Sequence, residues 1–235
     1  MDMTLAAPPR AHAVELMDLP HPRPAMEGCL TELERLNALL GVRRFVWHHL
    51  RRFVRPADRT LTVADVATGG ADLPRAFALW GRNRGVAVRT IGIDNHPTTA
   101  LIARDRSASF PEIRVVLGAA GALPLGDGSV DVAVFTSALH HLTQLDAVAA
   151  LRELNRVGRR GFIVTDLVRA WGAYLGARAL SFLLLRSPLT RTDGPRSVLR
   201  SYTLPEARAL IAEAGLSGVE VTRGPLFRLA MVKGA

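Results

Sequence analysis

Short apolar runs alternate with longer amphipathic stretches from residue 57 to the end of the sequence. Apolar runs that end in turn residues are typical of buried strands, and apolar positions three and four apart are typical of helices. We predict strands at residues 61–67, 87–93, 113–117, 130–136, 161–166, 217–223 and 226–232, and helices at 71–84, 97–106, 143–157 and 204–214. This alternation predicts an α/β fold, with a parallel sheet covered by helices on both faces.

Two segments depart from this rhythm. Residues 1–27 are rich in proline and predict irregular chain with a short helical turn at 13–18, and residues 28–54 predict two helices that are separated at Gly41. We therefore expect an N-terminal helical cap at 1–56, ahead of a domain at 57–235. After the fifth strand, residues 167–185 predict a long apolar helix and residues 187–202 a polar loop, so we expect a lid insertion at 167–202.

Composition narrows the classes of function. A chain of 235 residues that is 49% hydrophobic can bury a sizeable core, and its single cysteine, Cys29, excludes an intrachain disulfide and a cysteine-based metal site. We predict no metal. The net charge of +9 comes from scattered arginines without interleaved aromatic residues, so we expect no nucleic-acid partner. No apolar run is long enough to span a bilayer, and the start lacks the pattern of a signal peptide, so we expect a cytoplasmic protein. We expect it to be a monomer or a homodimer.

Polar side chains follow the strands where ligands of open parallel sheets bind, which is at the carboxyl ends of the strands. Asp94 ends an apolar strand and follows Gly69 by 25 residues, since 94 − 69 = 25. A carboxylate at this position can accept both hydroxyls of a ribose, and the alternative is that it only caps the next helix. The other strand ends carry Asp65, Thr136 and Asp166.

The loop between the first strand and the first helix of the sheet consists of small residues, from Ala67 to Ala71. Small side chains allow a cofactor to approach the backbone closely, and alanine is unstrained there only if its φ is negative. Asp72 follows the loop. Helix capping and contact with an amino group of the cofactor are equally good interpretations of this residue.

These motifs resemble those of the class I S-adenosylmethionine-dependent methyltransferases. The family's first loop reads Asp/Glu-x-Gly-x-Gly-x-Gly, and the chain matches it from Asp65 with alanine at positions 67 and 71. The segment 118–125 is similar to the family's adenine loop, with Ala119 at the usual aspartate. The segment from Asp127 to Phe135 is similar to the "DGSFDVV" strand, and residues 139–142 repeat its Leu-His-His-Leu ending.

The resemblance implies a Rossmann-like, seven-stranded, mostly parallel sheet with an antiparallel last strand, a helical N-terminal cap and a helical lid after the fifth strand. It implies S-adenosylmethionine as cofactor and S-adenosylhomocysteine as product. The cofactor-binding residues that it implies are Asp65, Ala67, Thr68, Gly69, Asp72, Asp94, Asn95, Ala119, Ala120 and Thr136.

A narrower resemblance concerns the acceptor. Residues 15–18, 36–41 and 191–198 are similar to a bacterial subgroup associated with type III polyketide synthases, and to quinone-type methyltransferases. This implies a small aromatic, phenolic or polyketide-like acceptor and favours O-methylation. C-methylation of a quinone-like ring and a non-catalytic binding protein remain open. A nicotinamide oxidoreductase is disfavoured, because Gly-x-Gly-x-x-Gly is absent and the only lysine is Lys233.

A phenol needs a general base, and imidazole titrates near neutral pH, so His140 and His141 are the candidate bases. The family's second histidine more often faces the cleft, which favours His141. Asp166 could orient the base or the acceptor, or it could cap the next helix. The apolar residues of segment 167–185, Trp171 and Tyr174 among them, predict either an acceptor wall or a dimer interface, and Arg191 and Asp193 could close its mouth.

Overall fold

The computed structural model describes residues 7–234. Its strands are β1 (Thr60–Val66), β2 (Ala87–Asp94), β3 (Ile113–Leu117), β4 (Val130–Thr136), β5 (Gly158–Leu167), β6 (Val219–Gly224) and β7 (Arg228–Gly234). Its α-helices are α1 (Arg23–Leu39), α2 (Val42–Leu50), α3 (Asp72–Arg84), α4 (Pro97–Arg106), α5 (Gln144–Val157), α6 (Trp171–Leu184), α7 (Pro188–Arg200) and α8 (Leu204–Glu213). Single 3₁₀ turns lie at Leu16–Asp18, Arg51–Phe53 and Leu139–His141.

The seven strands form one sheet in the order β3-β2-β1-β4-β5-β7-β6. Strands β1 to β5 are parallel, and β7 runs antiparallel to both of its neighbours, β5 and β6. The predicted seven-stranded, mostly parallel sheet with an antiparallel last strand is confirmed. Because β1, β2, β4 and β5 are parallel neighbours, their carboxyl ends meet at one edge of the sheet, as the binding of ligands in such folds requires.

The central strand β4 shows how the sheet is stabilised. Val132 and Val134 point to one side, into a cluster that includes residues of α2 and α3. Ala133 and Phe135 point to the other side, into a cluster that includes residues of α5 and α8. All four side chains are fully buried, and a buried valine or phenylalanine contributes roughly 1.5–3 kcal/mol by removing apolar surface from water. Both faces are therefore covered.

The structure corrects two predicted elements. Helix α1 begins at Arg23, with Pro24 in its first turn, where irregular chain was predicted. The predicted polar loop at 187–202 was wrong, because most of it forms helix α7. Pro195 lies inside that helix, which costs about 3 kcal/mol, and the burial of Leu189 and Val198 against neighbouring helices offsets this cost. Within residues 7–234, no helix has the length and apolar character needed to cross a membrane.

Candidate active site

The loop after β1 has an unusual backbone. Ala67, Gly69 and Ala71 have φ values of 53°, 54° and 57°, in the left-handed region that favours glycine. The condition for unstrained alanine, a negative φ, is therefore not met at either alanine. The Thr68 hydroxyl donates to Asp65 at 2.7 Å and its N–H bonds to the end of β2, which helps to hold the loop in this conformation.

Asp65 is fully buried beneath this loop. Burial raises the pKa of its carboxyl to about 7, although the hydrogen bond from Thr68 acts in the opposite direction. Thr136, at the end of β4, accepts the hydroxyl hydrogen of Thr165 at 3.2 Å, so it lies at the same edge of the sheet. Two of the predicted cofactor residues, Asp65 and Thr136, therefore lie at the ends of adjacent strands.

Asp94 is the acid best placed to hold a ribose. Its carboxylate accepts the N–H of Gly69 at 3.0 Å and the N–H of His96 at 3.0 Å, one on each oxygen. Burial raises the pKa of Asp94, and these two hydrogen bonds partly offset the effect. Each oxygen keeps a further lone pair, so the carboxylate can accept two hydroxyl groups as well. The residues therefore fit the ribose of a nucleoside cofactor.

The remaining cofactor candidates lie around this acid. Asn95 follows it and is exposed. The loop after β3 is joined to the end of β2, because the N–H of Gly118 donates to the carbonyl of Asp94 at 2.9 Å. In that loop Ala119 is exposed and Ala120 is half-buried. A cofactor that sits on Asp94 would thus meet the backbone and the small side chains of the 118–122 loop.

The carboxylate of Asp72 contacts the N-terminal helices and does not cap helix α3. The residue that caps α3 is Ala71, without a side-chain hydrogen bond, and the Asp72 carboxylate instead accepts from Arg43 at 3.3 Å and from Asn37 at 3.5 Å. Burial raises the pKa of Asp72, and the charge of Arg43 acts against this. Asp72 therefore joins the cofactor loop to helices α1 and α2.

Glu34 is a second link between the cap and the loop, and the sequence analysis missed it. Arg75 donates to both of its carboxylate oxygens at 2.9 Å, and Arg43 donates to one of them at 3.0 Å. Arg75 also donates to the carbonyl of Gly70 at 2.6 Å. Helix α1 therefore covers the loop, with Leu30 packed near Gly69. The sequence carried no signal of this role, because arginines such as Arg43 and Arg75 are scattered along the whole chain.

His140 is buried at the ends of β4 and β5. Its Nδ1 lies 2.8 Å from Oδ1 of Asp166, and its backbone N–H donates to Oδ2 of the same residue at 2.8 Å. Burial alone would lower the pKa of His140, but the negative charges of Asp166 and Glu15 outweigh it and raise the pKa to about 9. At neutral pH, His140 is accordingly a buried cation between carboxylates.

His141 lies beside it and is more accessible. The centroids of the two imidazole rings are 4.4 Å apart. The Nδ1 of His141 lies 2.9 Å from Oδ1 of Asp18, a residue of the N-terminal segment. Burial tends to raise the pKa of Asp18, but the hydrogen bond and charge of His141 bring it below its usual value. Asp18 is therefore an ionised partner that can fix the orientation of the ring.

Glu15 completes the cluster. Its side chain is buried, and Oε2 accepts the hydroxyl hydrogen of Ser197 at 2.7 Å. Oε1 has no hydrogen-bond partner among residues 7–234 and lies 3.6 Å from Nε2 of His140 and 3.4 Å from Nε of Arg200. Residues 15–18 supported the narrower family resemblance, and that motif was the only sequence signal that could have placed Glu15 and Asp18 in the site.

Helix α7 fixes both halves of this cluster. Asp193 accepts the N–H groups of Leu16 and Met17 at 2.8 and 2.9 Å, which holds the 3₁₀ turn between Glu15 and Asp18. Arg200 donates to the carbonyl of His140 at 3.1 Å and to that of His141 at 2.7 Å. The predicted substrate residue Asp193 is therefore used in positioning the N-terminal segment.

The other three predicted substrate residues lie on the outer helices. Trp171 is exposed, and its ring meets that of Tyr174 edge-on at 6.2 Å. Arg191 is exposed and lies over the ring of Phe182 at 5.9 Å. The structure thus brings Asp193 to the histidine pair, whereas Trp171, Tyr174 and Arg191 belong to an outward-facing surface. Their contact with an acceptor stays a prediction.

Comparisons with known proteins agree with this geometry. Residues 64–165 match the family model described as a methyltransferase domain. Among curated proteins, an uncharacterised 37.1 kDa protein in a transposon of Streptomyces fradiae is 41% identical over 73 residues, which is 31% of this chain. The chain spans about a fifth (21%) of that relative's length.

Three solved structures show the same fold. A SAM-dependent methyltransferase from Aquifex aeolicus has a TM-score of 0.62 and 17% identity, covering 91% of this chain and 98% of its own. A putative O-methyltransferase from Nostoc punctiforme has a TM-score of 0.64 and 14% identity, covering 96% and 64%. The CMeT domain of the citrinin polyketide synthase has a TM-score of 0.56 and 14% identity, covering 74% and 46%.

The matched domain and the sheet topology define the class. Residues 64–165 match a methyltransferase domain, and the chain has the fold of solved S-adenosylmethionine-dependent methyltransferases. The expectations of an enzyme and of S-adenosylmethionine as its cofactor are confirmed at this level.

Proposed function

We propose that this enzyme methylates an oxygen of a small aromatic, polyketide-like acceptor, with His141 as the general base. The observation that carries the proposal is the Asp18–His141 pair beside the cofactor edge of the sheet. If Nδ1–H donates to Asp18, the Nε2 of His141 is left as a proton acceptor. A phenol has a pKa of about 10, so a positioned base assists its ionisation.

His140 suits a different role. A group whose pKa is raised to about 9 is already protonated at neutral pH and cannot take a proton from the acceptor. Its fixed contacts with Asp166 and its position beneath the ring of His141 support a positioning role. Asp166 then orients His140 and balances its charge. This division of labour supports the choice of His141 over His140.

Methyl transfer also requires that the cofactor is held in position, and the carboxyl edge of the sheet would provide this. Asp94 would hold the ribose, the 67–71 loop would pass beneath the cofactor, and Ala119 and Ala120 would flank the adenine with backbone groups. When bound, S-adenosylmethionine would supply an electrophilic methyl group on its sulfonium, with S-adenosylhomocysteine as the leaving product. The chain's part is to hold the acceptor about 3 Å from that methyl and to take its proton at Nε2 of His141.

The test is product analysis with a methyl-labelled cofactor and a set of phenols, in which each phenol is paired with its methyl ether. We expect label in a methoxy group, no turnover of the ethers, and a loss of about 10²-fold or more in kcat for His141→Gln. The matched control is His12→Gln, which changes an exposed histidine outside the site. Label on a ring carbon would replace O-methylation by C-methylation of the ring. No binding of the cofactor would leave only a non-catalytic binding protein.

A further inference from the structure

Helix α6 exposes most of its apolar side chains. Trp171, Leu175, Phe182 and Leu183 recur at helical spacing and form one stripe, in which Leu175 is 61% exposed and the last two are each 73% exposed. Among the described residues of α6, only Ala173 and Ser181 are buried. A helix of 14 residues is about 21 Å long, so the stripe is an extended apolar surface and not a single exposed side chain.

The tip of the β6–β7 hairpin extends this surface. Leu226 and Phe227 are both exposed, and both have positive φ values, 51° and 55°, which bulky side chains rarely adopt. The Phe227 ring lies against Gly172, where a Cβ atom would be only 2.8 Å from it. The hairpin tip therefore joins the first turn of α6, and a strained backbone holds two more apolar side chains toward solvent.

The charges around this surface have one sign. Segment 167–192 contains no acidic residue, and its exposed charges are Arg178, Arg186 and Arg191. None of these three guanidinium groups takes part in a salt bridge with any residue in the described part of the chain. Glu32 reaches this region, but its carboxylate accepts the N–H groups at the start of α7.

We propose that this surface, made of the α6 stripe and the Leu226–Phe227 tip, docks the enzyme on an anionic lipid bilayer. An apolar helix face that is bordered by arginines buries its side chains among the acyl chains and keeps its cations at the headgroups. A second copy of the chain is a poorer occupant, because twofold pairing of the stripe would bring the same arginines together. In this arrangement helix α6 lies along the surface of the bilayer, because its 14 residues are too few to span the hydrocarbon core.

The experiment is co-sedimentation of the full chain with vesicles of phosphatidylcholine alone and of phosphatidylcholine mixed with phosphatidylglycerol. We expect binding to the mixed vesicles, weaker binding to phosphatidylcholine, and a decrease with added salt. The double variant Phe182→Ser/Leu183→Ser should bind at least tenfold less. Arg178→Gln should bind about fivefold less, which corresponds to about 1 kcal/mol per arginine at an anionic surface.

The matched control is Leu145→Ser, which changes a leucine that is 77% exposed on α5 and should leave vesicle binding unchanged. Equal thermal unfolding of all variants shows that they are folded. Light scattering distinguishes the other occupant: a dimer that the double variant converts to a monomer would assign the surface to a second copy. The proposal is also overturned if the wild type binds neither kind of vesicle, or if the double variant binds the mixed vesicles as tightly as the wild type does.

Discussion

Asp193 accepts the backbone N–H of Leu16 at 2.8 Å, across 177 residues of sequence. The same carboxylate accepts the N–H of Met17, so one buried side chain of α7 holds the turn that lies between Glu15 and Asp18. Because Asp18 in turn contacts His141, the position of the candidate base depends on a residue that never touches it.

Asp193→Asn should loosen this turn. An amide has one accepting oxygen, so one of the two N–H groups would face a donor, at a cost of about 1–3 kcal/mol. We expect faster hydrogen exchange at Leu16 and Met17 and about a tenfold loss of kcat, with S-adenosylhomocysteine binding nearly unchanged. Asp105→Asn, at an exposed ion pair, is the control. A raised KM for the acceptor with unchanged exchange would instead support the predicted substrate-binding role.

Asp18→Asn tests the orientation of the base directly. Asparagine keeps the size of the side chain but removes the charge, and it can present an N–H to Nδ1 and so favour the wrong tautomer of His141. We expect kcat to fall by about 10²-fold and the activity to recover in part at higher pH, where the phenol ionises without a base. Stopped-time assays across pH measure this. A wild-type pH profile would mean that Asp18 only fastens the N-terminal segment.

The cofactor half of the site could be predicted from the sequence because it is local. Each strand of the parallel sheet ends where its apolar run ends, so Asp94 and the 67–71 loop could be assigned from neighbouring residues alone. Asp72 shows the limit of this reasoning, because capping and cofactor contact were both reasonable and its carboxylate instead meets Arg43 of the cap.

The acceptor half depends on contacts between distant segments. Glu15 and Asp18 lie in a proline-rich segment without helical periodicity, and only Asp193, Ser197 and Arg200 place them near the histidines. Those three residues lie on α7, which was predicted as a loop because the segment is polar and contains proline. The wrong prediction for this one helix thus concealed the residues that hold Glu15 and Asp18 beside the histidine pair.

Ala67→Gly should stabilise the cofactor loop. An alanine with a positive φ costs about 1–2 kcal/mol, whereas glycine loses about 0.5–1 kcal/mol of unfolded-state entropy, so the net gain is on the order of 0.5 kcal/mol. Ala67 is exposed, so little packing is lost. We also expect tighter binding of S-adenosylhomocysteine by calorimetry, since the methyl group is removed from the approach to the backbone. Ala76→Gly, inside α3, should have the opposite effect on stability, and equal destabilisation by both changes would contradict the argument.

The ionisation of His140 should make the folded state less stable in base. Its pKa in the folded chain is about 9, above the ordinary value of 6.5, because the charges of Asp166 and Glu15 outweigh burial. The stability that this group contributes is therefore fully present below pH 6.5 and is lost as the pH rises through 9. Denaturant unfolding across this interval should give a falling free energy of unfolding for the wild type and a smaller slope for His140→Asn.

Asp65 provides the control for this pH dependence, because its pKa of about 7 also lies above its ordinary value of 3.8. The stability that Asp65 contributes is fully present below pH 3.8 and is lost as the pH rises through 7. Asp65→Asn should therefore reduce the slope below pH 7 and leave the slope between pH 7 and 9 unchanged. A wild-type stability that stays level or rises between pH 6.5 and 9 would show that His140 is neutral in the folded enzyme. It would then regain its place beside His141 as a candidate base.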